Sequence, residues 1–139
     1  MSCYTLCSEY ANALADYQLI KPKHSAFFAS SLATLIQHLG VRTIILCGFA
    51  GNVCVLFTAN GAFFYNVMRL LMLGEDAYMQ DISVVVPKDT HGCTSIEERE
   101  ATELLLERVL HIKPTTSDDL DLDRLLEAHD DGPGNRLEA

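Results

Sequence analysis

The sequence predicts a three-layer α/β/α fold of the Rossmann-like kind, with helices covering a mostly parallel sheet, and three observations carry that prediction. Two short runs, Thr43 to Cys47 and Ile82 to Val86, are apolar and rich in β-branched residues. Strands of that composition expect cover on both faces, as parallel sheets have. Stretches of helical periodicity lie between and around them, and strand and helix alternate along the chain.

Taken in order, Leu19 and Ile20 form a brief strand stopped by Lys21 and Pro22. Leu32, Leu35, Ile36 and Leu39 recur at i, i+3, i+4 and i+7, which predicts a helix with one apolar face. Ser30 or Ser31 supplies its N-cap and Gly40 its C-terminal stop. The Thr43 to Cys47 strand follows, with Cys47 pointing into the core, and ends at Gly48. Val53 to Leu73 carries one charge, Arg69, and is near the roughly 20 residues that a membrane helix needs. Thr58, Asn60, Gly61 and Asn66 interrupt it with polar or small groups, so a buried helix or helix pair is expected instead. The Ile82 to Val86 strand is stopped by Pro87, and Thr94 with Glu97 forms a capping box for a helix reaching about Leu110.

A chain of 139 residues, 49% hydrophobic, suits a single core. Its net charge of −9 argues against nucleic acid and against an anionic membrane surface, both of which call for a surplus of Lys and Arg. The acidity is concentrated: Asp118 to Ala139 holds eight acids and two bases. Residues 1–16 therefore read as an irregular N-terminal segment, 17–116 as the domain, and 117–139 as an acidic tail ending in chain-breaking Gly132, Pro133 and Gly134. Within that tail Leu120, Leu122, Leu125 and Leu126 suit a short helix. Five cysteines without regular spacing imply a reducing compartment, and the polar Met1 to Tyr10 start lacks a leader pattern, so the cytosol is the expected address.

Chemistry in such sheets gathers where loops leave the carboxyl ends of strands. Gly48-Phe49-Ala50-Gly51-Asn52-Val53-Cys54 leaves one and enters a helix. A cysteine in a first helical turn meets unpaired backbone N–H groups and the positive end of the helix dipole, both of which favour thiolate. The same N–H groups suit an oxyanion. The plain alternative is that Cys54, between Val53 and Val55, is buried filler. Lys21, at the end of another predicted strand, reaches the same rim if the fold brings the two together; otherwise it is a solvated lysine like Lys23. Nothing in the spacing selects neighbouring His24 as a base. His91 and Cys93 flank Gly92 in a loop after a strand, and an ordinary loop is the expected reading. Cys3 and Cys7 are spaced wrongly for a zinc knuckle.

Lys21-Pro22-Lys23-His24-Ser25-Ala26-Phe27-Phe28, the Leu32 to Leu39 helix, Gly48 through Cys54-Val55, and Thr58-Ala59 together resemble the isochorismatase-like cysteine hydrolase family, which includes nicotinamidases and carbamoyl amidases. Asp76-Ala77-Tyr78-Met79 and Val84 to Asp89 extend the resemblance from about Tyr17 to about Thr116. It implies that Cys54 is the nucleophile, that Lys21 is the catalytic lysine, and that a cis peptide at Phe49–Ala50 turns the N–H groups of Ala50 and Cys54 toward the substrate oxygen. The implied substrate is a small amide or ester; no cofactor and no metal is expected on this chain, since any metal ligands of the nicotinamidase branch belong to the family segment without counterpart here. Isochorismatase itself cleaves a vinyl ether, so membership does not fix the acyl route.

The sequence departs from the family pattern twice. The apolar strand bearing an activating Asp has no counterpart before Lys21, and Asp16 is a poor substitute. Residues 61–75, GAFFYNVMRLLMLGE, stand as an insertion: a helix extension, an αα-hairpin or translated noncoding sequence. The family strand order resembles 3-2-1-4-5-6, and this chain matches it from the third strand on. The expectations are an N-terminally incomplete domain, weak or absent hydrolysis, loss of the strands that fix Lys21 against Cys54, and a homo-oligomer formed through the apolar edge at Thr43 to Cys47. The rival reading is a non-catalytic binding or assembly module on the same scaffold. A redox-sensing thiol would need a resolving cysteine, for which Cys47 is poorly aimed.

Overall fold

The computed structural model describes residues 17–73 and 81–125. Asp16, the Cys3/Cys7 pair, Asp76 to Met79 and most of the acidic tail lie outside the described residues. The elements in chain order are α1 (Leu32–Leu39), β1 (Thr43–Ile45), β2 (Gly48–Phe49), a wide helical turn of π type (Gly51–Val55), α2 (Leu56–Leu73), β3 (Ser83–Val85), β4 (His91–Gly92) and α3 (Ile96–Arg108).

The fold is α/β, and its strand pairs are parallel. β1 pairs with β3 in the register Thr43↔Ser83 to Ile45↔Val85. β2 pairs with β4 through Gly48↔His91 and Phe49↔Gly92. The expected Thr43 to Cys47 strand is thus divided. It runs beside β3 as far as Ile45, Leu46 still donates to Val85 O at 2.9 Å, and Gly48 then donates to Thr90 O at 3.0 Å. This change of partner leaves Cys47 exposed, which corrects its expected core position. β1 itself is half-covered, with Ile45 40% exposed, so the two-sided burial expected from its composition is not met among the described residues. Leu19 and Ile20 join no ladder among the described residues, since no strand runs beside them.

Val55, Ala59, Val86 and Leu106 form the buried core, flanked by Leu46, Leu56, Val84, Leu110 and Ile112. The start of α2, the middle of α3 and the strand ends therefore meet in one cluster, whose burial removes apolar surface from water at about 25 cal/mol per Å². α1 ends as expected on Gly40, at φ +64. Ser31 occupies its N-cap position without a side-chain bond, while Ser30 Oγ accepts from Leu32 N at 3.2 Å. On α3 the expected box is displaced by one residue. Ser95 is the N-cap and accepts from Glu98 N at 3.2 Å, while Thr94 Oγ1 bonds the Glu98 carboxylate.

Residues 61–73 continue α2 without a break. The polar groups that interrupt this apolar stretch have structural partners. Asn66 pins the helix to the entry of β3, its Nδ2 donating to Ile82 O at 2.9 Å and its Oδ1 accepting from Ile82 N at 3.0 Å. Thr58 and Gly61 receive the loop that carries Lys21. No helix among the described residues is long and apolar enough to cross a membrane.

Candidate active site

The turn bearing Cys54 is set by backbone. β2 hangs on β4, and the chain leaves it through Gly48 at φ +113, a conformation that disfavours any side chain. The Phe49–Ala50 peptide is cis. From Ala50 the chain winds directly into the wide turn, where Val53 N and Val55 N both donate to Ala50 O, at 3.1 and 3.2 Å. Turns of this kind recur at functional sites because they displace one residue from the regular helical track. Cys54, on that turn, is half-buried with its thiol free.

Two glycines let β4 approach the turn. A Cβ on Gly51 would overlap His91 Nδ1 and sit 2.9 Å from Cys93 Sγ. A Cβ on Gly92 would overlap the Phe49 ring, which itself is 82% exposed. His91 is 6% exposed, and neither ring nitrogen has a hydrogen-bond partner among the described residues. Burial lowers its pKa from the ordinary imidazole value, opposed by the Glu103 carboxylate and assisted by the Arg99 guanidinium. A sequence reading that makes His91 an ordinary loop residue misses this position. The available signal is the pair of glycines, Gly51 and Gly92, in segments that the fold brings together.

Lys21 reaches the same place by another route. Its Nζ donates to Cys54 Sγ at 3.3 Å, to Lys23 O at 3.2 Å and to His24 O at 3.3 Å. The two residues meet although Lys21 lies on no strand among the described residues, so the expected loss of registration does not occur here. The loop after Lys21 is docked on α2 instead. Ala26 N donates to Thr58 Oγ1 at 3.1 Å. Gly61 provides a notch in which a Cβ would come within 2.5 Å of Ser25 Oγ and 3.1 Å of Phe27 Cδ2. Phe27 packs on Tyr65 and His24 on Phe57, with ring centroids 5.5 and 5.9 Å apart. Gly61 and Tyr65 both lie on α2.

Among the described residues no group of three or more His, Cys, Asp or Glu side chains could hold a metal ion. A cavity of about 520 Å³ lies between α2, β3 and residues 110–120, lined in part by Phe63, Asn66 and Ile82. Neither Cys54 nor Lys21 is on its wall, so its volume says nothing about the reacting pair. Chemically, the pair offers a nucleophilic sulfur, a cationic proton donor within hydrogen-bond reach, and backbone N–H groups at a helix entrance.

A family model of the isochorismatase domain matches residues 2–118. The uncharacterized isochorismatase family protein YaaI of Bacillus subtilis (strain 168) is 44% identical over 106 residues, covering 76% of this chain and 50% of that protein. Ureidoacrylate amidohydrolase RutB of Azorhizobium caulinodans is 34% identical over 77 residues, covering 55% of this chain and 33% of RutB. The chain thus spans half the length of the first relative and a third of the second. The crystal structure of an isochorismatase family protein from Desulfovibrio vulgaris superposes with a TM-score of 0.64 at 23% identity, covering 83% of this chain and 51% of that one. At that identity the superposition speaks for the α/β fold alone.

Proposed function

Because this chain belongs to the isochorismatase family, we propose that it carries the reacting residues of a hydrolase for small amides or esters, with Cys54 as nucleophile and Lys21 as its proton-transfer partner. The observation that carries this reading is the 3.3 Å approach of Lys21 Nζ to Cys54 Sγ, between residues 33 apart in sequence. The amide specificity is supported by likeness to RutB, an amidohydrolase.

In this reading the Cys54 thiolate attacks the substrate carbonyl carbon, forming a C–S bond while the carbonyl electron pair moves to oxygen. The N–H groups of Ala50 and Cys54 receive that oxyanion. Its collapse expels the amine or alcohol, which takes a proton from the Lys21 ammonium, and leaves a thioester on Cys54. Water then attacks the thioester, Lys21 accepts its proton, and the carboxylate product departs as the thiolate is restored. Neither cofactor nor metal is required. Among the described residues no carboxylate contacts Lys21 or Cys54, which favours slow turnover and keeps the binding-module reading as the second one.

The three described cysteines are free, which supports a cytosolic setting. The outer edge of β1 has no partner among the described residues, which supports self-association. A monomeric sedimentation profile at micromolar concentration contradicts that last point.

Acyl trapping tests the catalytic reading. The 139-residue chain is incubated with p-nitrophenyl acetate and digested, and the peptides are mapped by mass. An acetyl group on Cys54, absent in Cys54→Ala and slower to form in Lys21→Ala, supports the hydrolase. No adduct on Cys54, or acetylation no different in Lys21→Ala, favours the binding module.

A further inference from the structure

His91 is the buried titratable group nearest the nucleophile turn that the proposed reaction does not use. It is almost fully enclosed, yet both ring nitrogens lack hydrogen-bond partners among the described residues. Enclosing polar atoms without partners costs free energy, and no described residue offsets that cost by hydrogen bonding. What it contributes is shape. The Nδ1 and Cε1 atoms form the ring edge that faces Gly51, so close that a methyl group on Gly51 has no room. Cys93 Sγ closes the same space from beside it.

The backbone around this contact is arranged to hold it. Gly48↔His91 and Phe49↔Gly92 are paired residues of the β2–β4 ladder, so the ring stands directly beneath the turn that begins two residues after Phe49. On the other side the Phe49 ring lies against Gly92, where a Cβ is likewise excluded. β4 thus presents His91 to Gly51 of the turn, and β2 presents Phe49 to Gly92 of β4. Such an interlock fixes the height of the turn above β4, and with it the position of Cys54 three residues later.

We infer that His91 is a positioning residue for Cys54, acting by filling the space under Gly51 and so setting how far the nucleophile turn stands from β4. The inference rests on the proposed role of Cys54. Misplacing a reacting group by about 1 Å costs as much as 100-fold in rate, so a collapse of the turn into a vacated His91 site has a large kinetic readout.

The test is a double-mutant cycle on the full chain, reading the rate of Cys54 alkylation by iodoacetamide at pH 7 with peptide mapping to separate it from the other cysteines. Gly51→Ala forces a methyl group into the imidazole, and His91→Ala vacates the same space; each is expected to slow Cys54 alkylation about 10-fold. The two together restore complementarity and return the rate to within about 3-fold of the parent, a coupling expected only of side chains in contact. His91→Gln, which keeps bulk without an imidazole, stays within about 3-fold as well and keeps the test available where His91→Ala unfolds. Independent losses in the double variant, or a His91→Ala rate equal to the parent's, overturn the inference. A parent protein whose Cys54 reacts no faster than exposed Cys47 overturns the hydrolase reading instead, whatever the His91 variants do.

Discussion

Cys54 and Lys21, the two groups of the proposed reaction, are positioned by different kinds of force. Cys54 stands on a turn hung from the β2–β4 ladder, bounded by Gly51 and Gly92, where a Cβ would overlap the His91 and Phe49 rings. Lys21 sits on a loop that belongs to no strand among the described residues and is held by one backbone-to-threonine bond, a glycine notch and two ring contacts on α2. Backbone ladders are short-range and directional, and here the ladder works with the close packing of His91 on Gly51 and Phe49 on Gly92. Side-chain docking depends on each contact. The comparison teaches that the sulfur is placed by neighbours within one ladder and turn, whereas the ammonium is placed by contacts with a separate helix and depends on the integrity of α2.

The predictions follow that division from the largest effect to the smallest. Asn66→Ala removes both bonds to the buried Ile82 backbone and leaves a buried donor and acceptor without partners. The expected loss is about 2 kcal/mol in urea unfolding, because unsatisfied buried groups cost more than a net hydrogen bond yields. Since the loop carrying Lys21 docks on Phe57, Thr58, Gly61 and Tyr65 and makes no bond to Asn66, Cys54 alkylation in the folded variant should stay unchanged; a parallel fall in that rate would merge the two regions into one.

Gly61→Val fills the notch that receives Ser25 and Phe27, and displaces Lys21 with the loop. Its expected effect is a fall of about 5-fold in Cys54 alkylation, roughly 1 kcal/mol, with β2, β4 and the turn intact by amide hydrogen exchange. An unchanged rate breaks the proposed dependence of Lys21 on α2. Ser95→Ala removes the N-cap of α3 and should cost about 1 kcal/mol in thermal unfolding, with no effect on either reacting group.

The smallest effect is a pH slope. The folded-state pKa of His91 lies below its ordinary value because burial disfavours the imidazolium. Between the two values the unfolded chain binds more protons than the folded one. Stability is therefore complete above about pH 6.5 and declines as pH falls from there toward the folded-state value. The charges acting on the ring, Glu103, Arg99 and Asp89, together with Lys88, Glu100 and Glu107 on the adjoining cavity wall, set how far that window extends. His91→Gln flattens this slope in urea titrations between pH 5 and 6.5; an unaltered slope assigns it elsewhere.

Much of the Cys54 region was legible in the sequence, because its determinants are local. A β-branched run, a Gly-rich exit and a helix entrance follow one another between Thr43 and Cys54, and short-range rules read them directly. The exceptions come from a choice between near-equivalent frames or partners. Thr94-Ser95 ahead of Glu97-Glu98 offers two capping registers, and the structure takes the second. Thr43 to Cys47 reads as one strand, yet the chain exchanges β3 for β4 at its end and turns Cys47 outward. Lys21 was legible as the partner of Cys54 through the family resemblance, but what holds it there was not. Its placement depends on Thr58, Gly61 and Tyr65, residues more than thirty positions away whose relevance appears only once α2 lies beside the loop. His91 escaped for the same reason, since its role depends on the ladder that brings Gly51 over it.

The most direct test of the account is competitive alkylation of the native chain at pH 7 with limiting iodoacetamide, comparing Cys54 with exposed Cys47 in the same molecule. The account predicts that half-buried Cys54 is labelled about 10-fold faster than Cys47, and that Lys21→Ala abolishes the difference without unfolding the protein. Labelling of Cys47 ahead of Cys54, or a preference for Cys54 that survives Lys21→Ala, contradicts it.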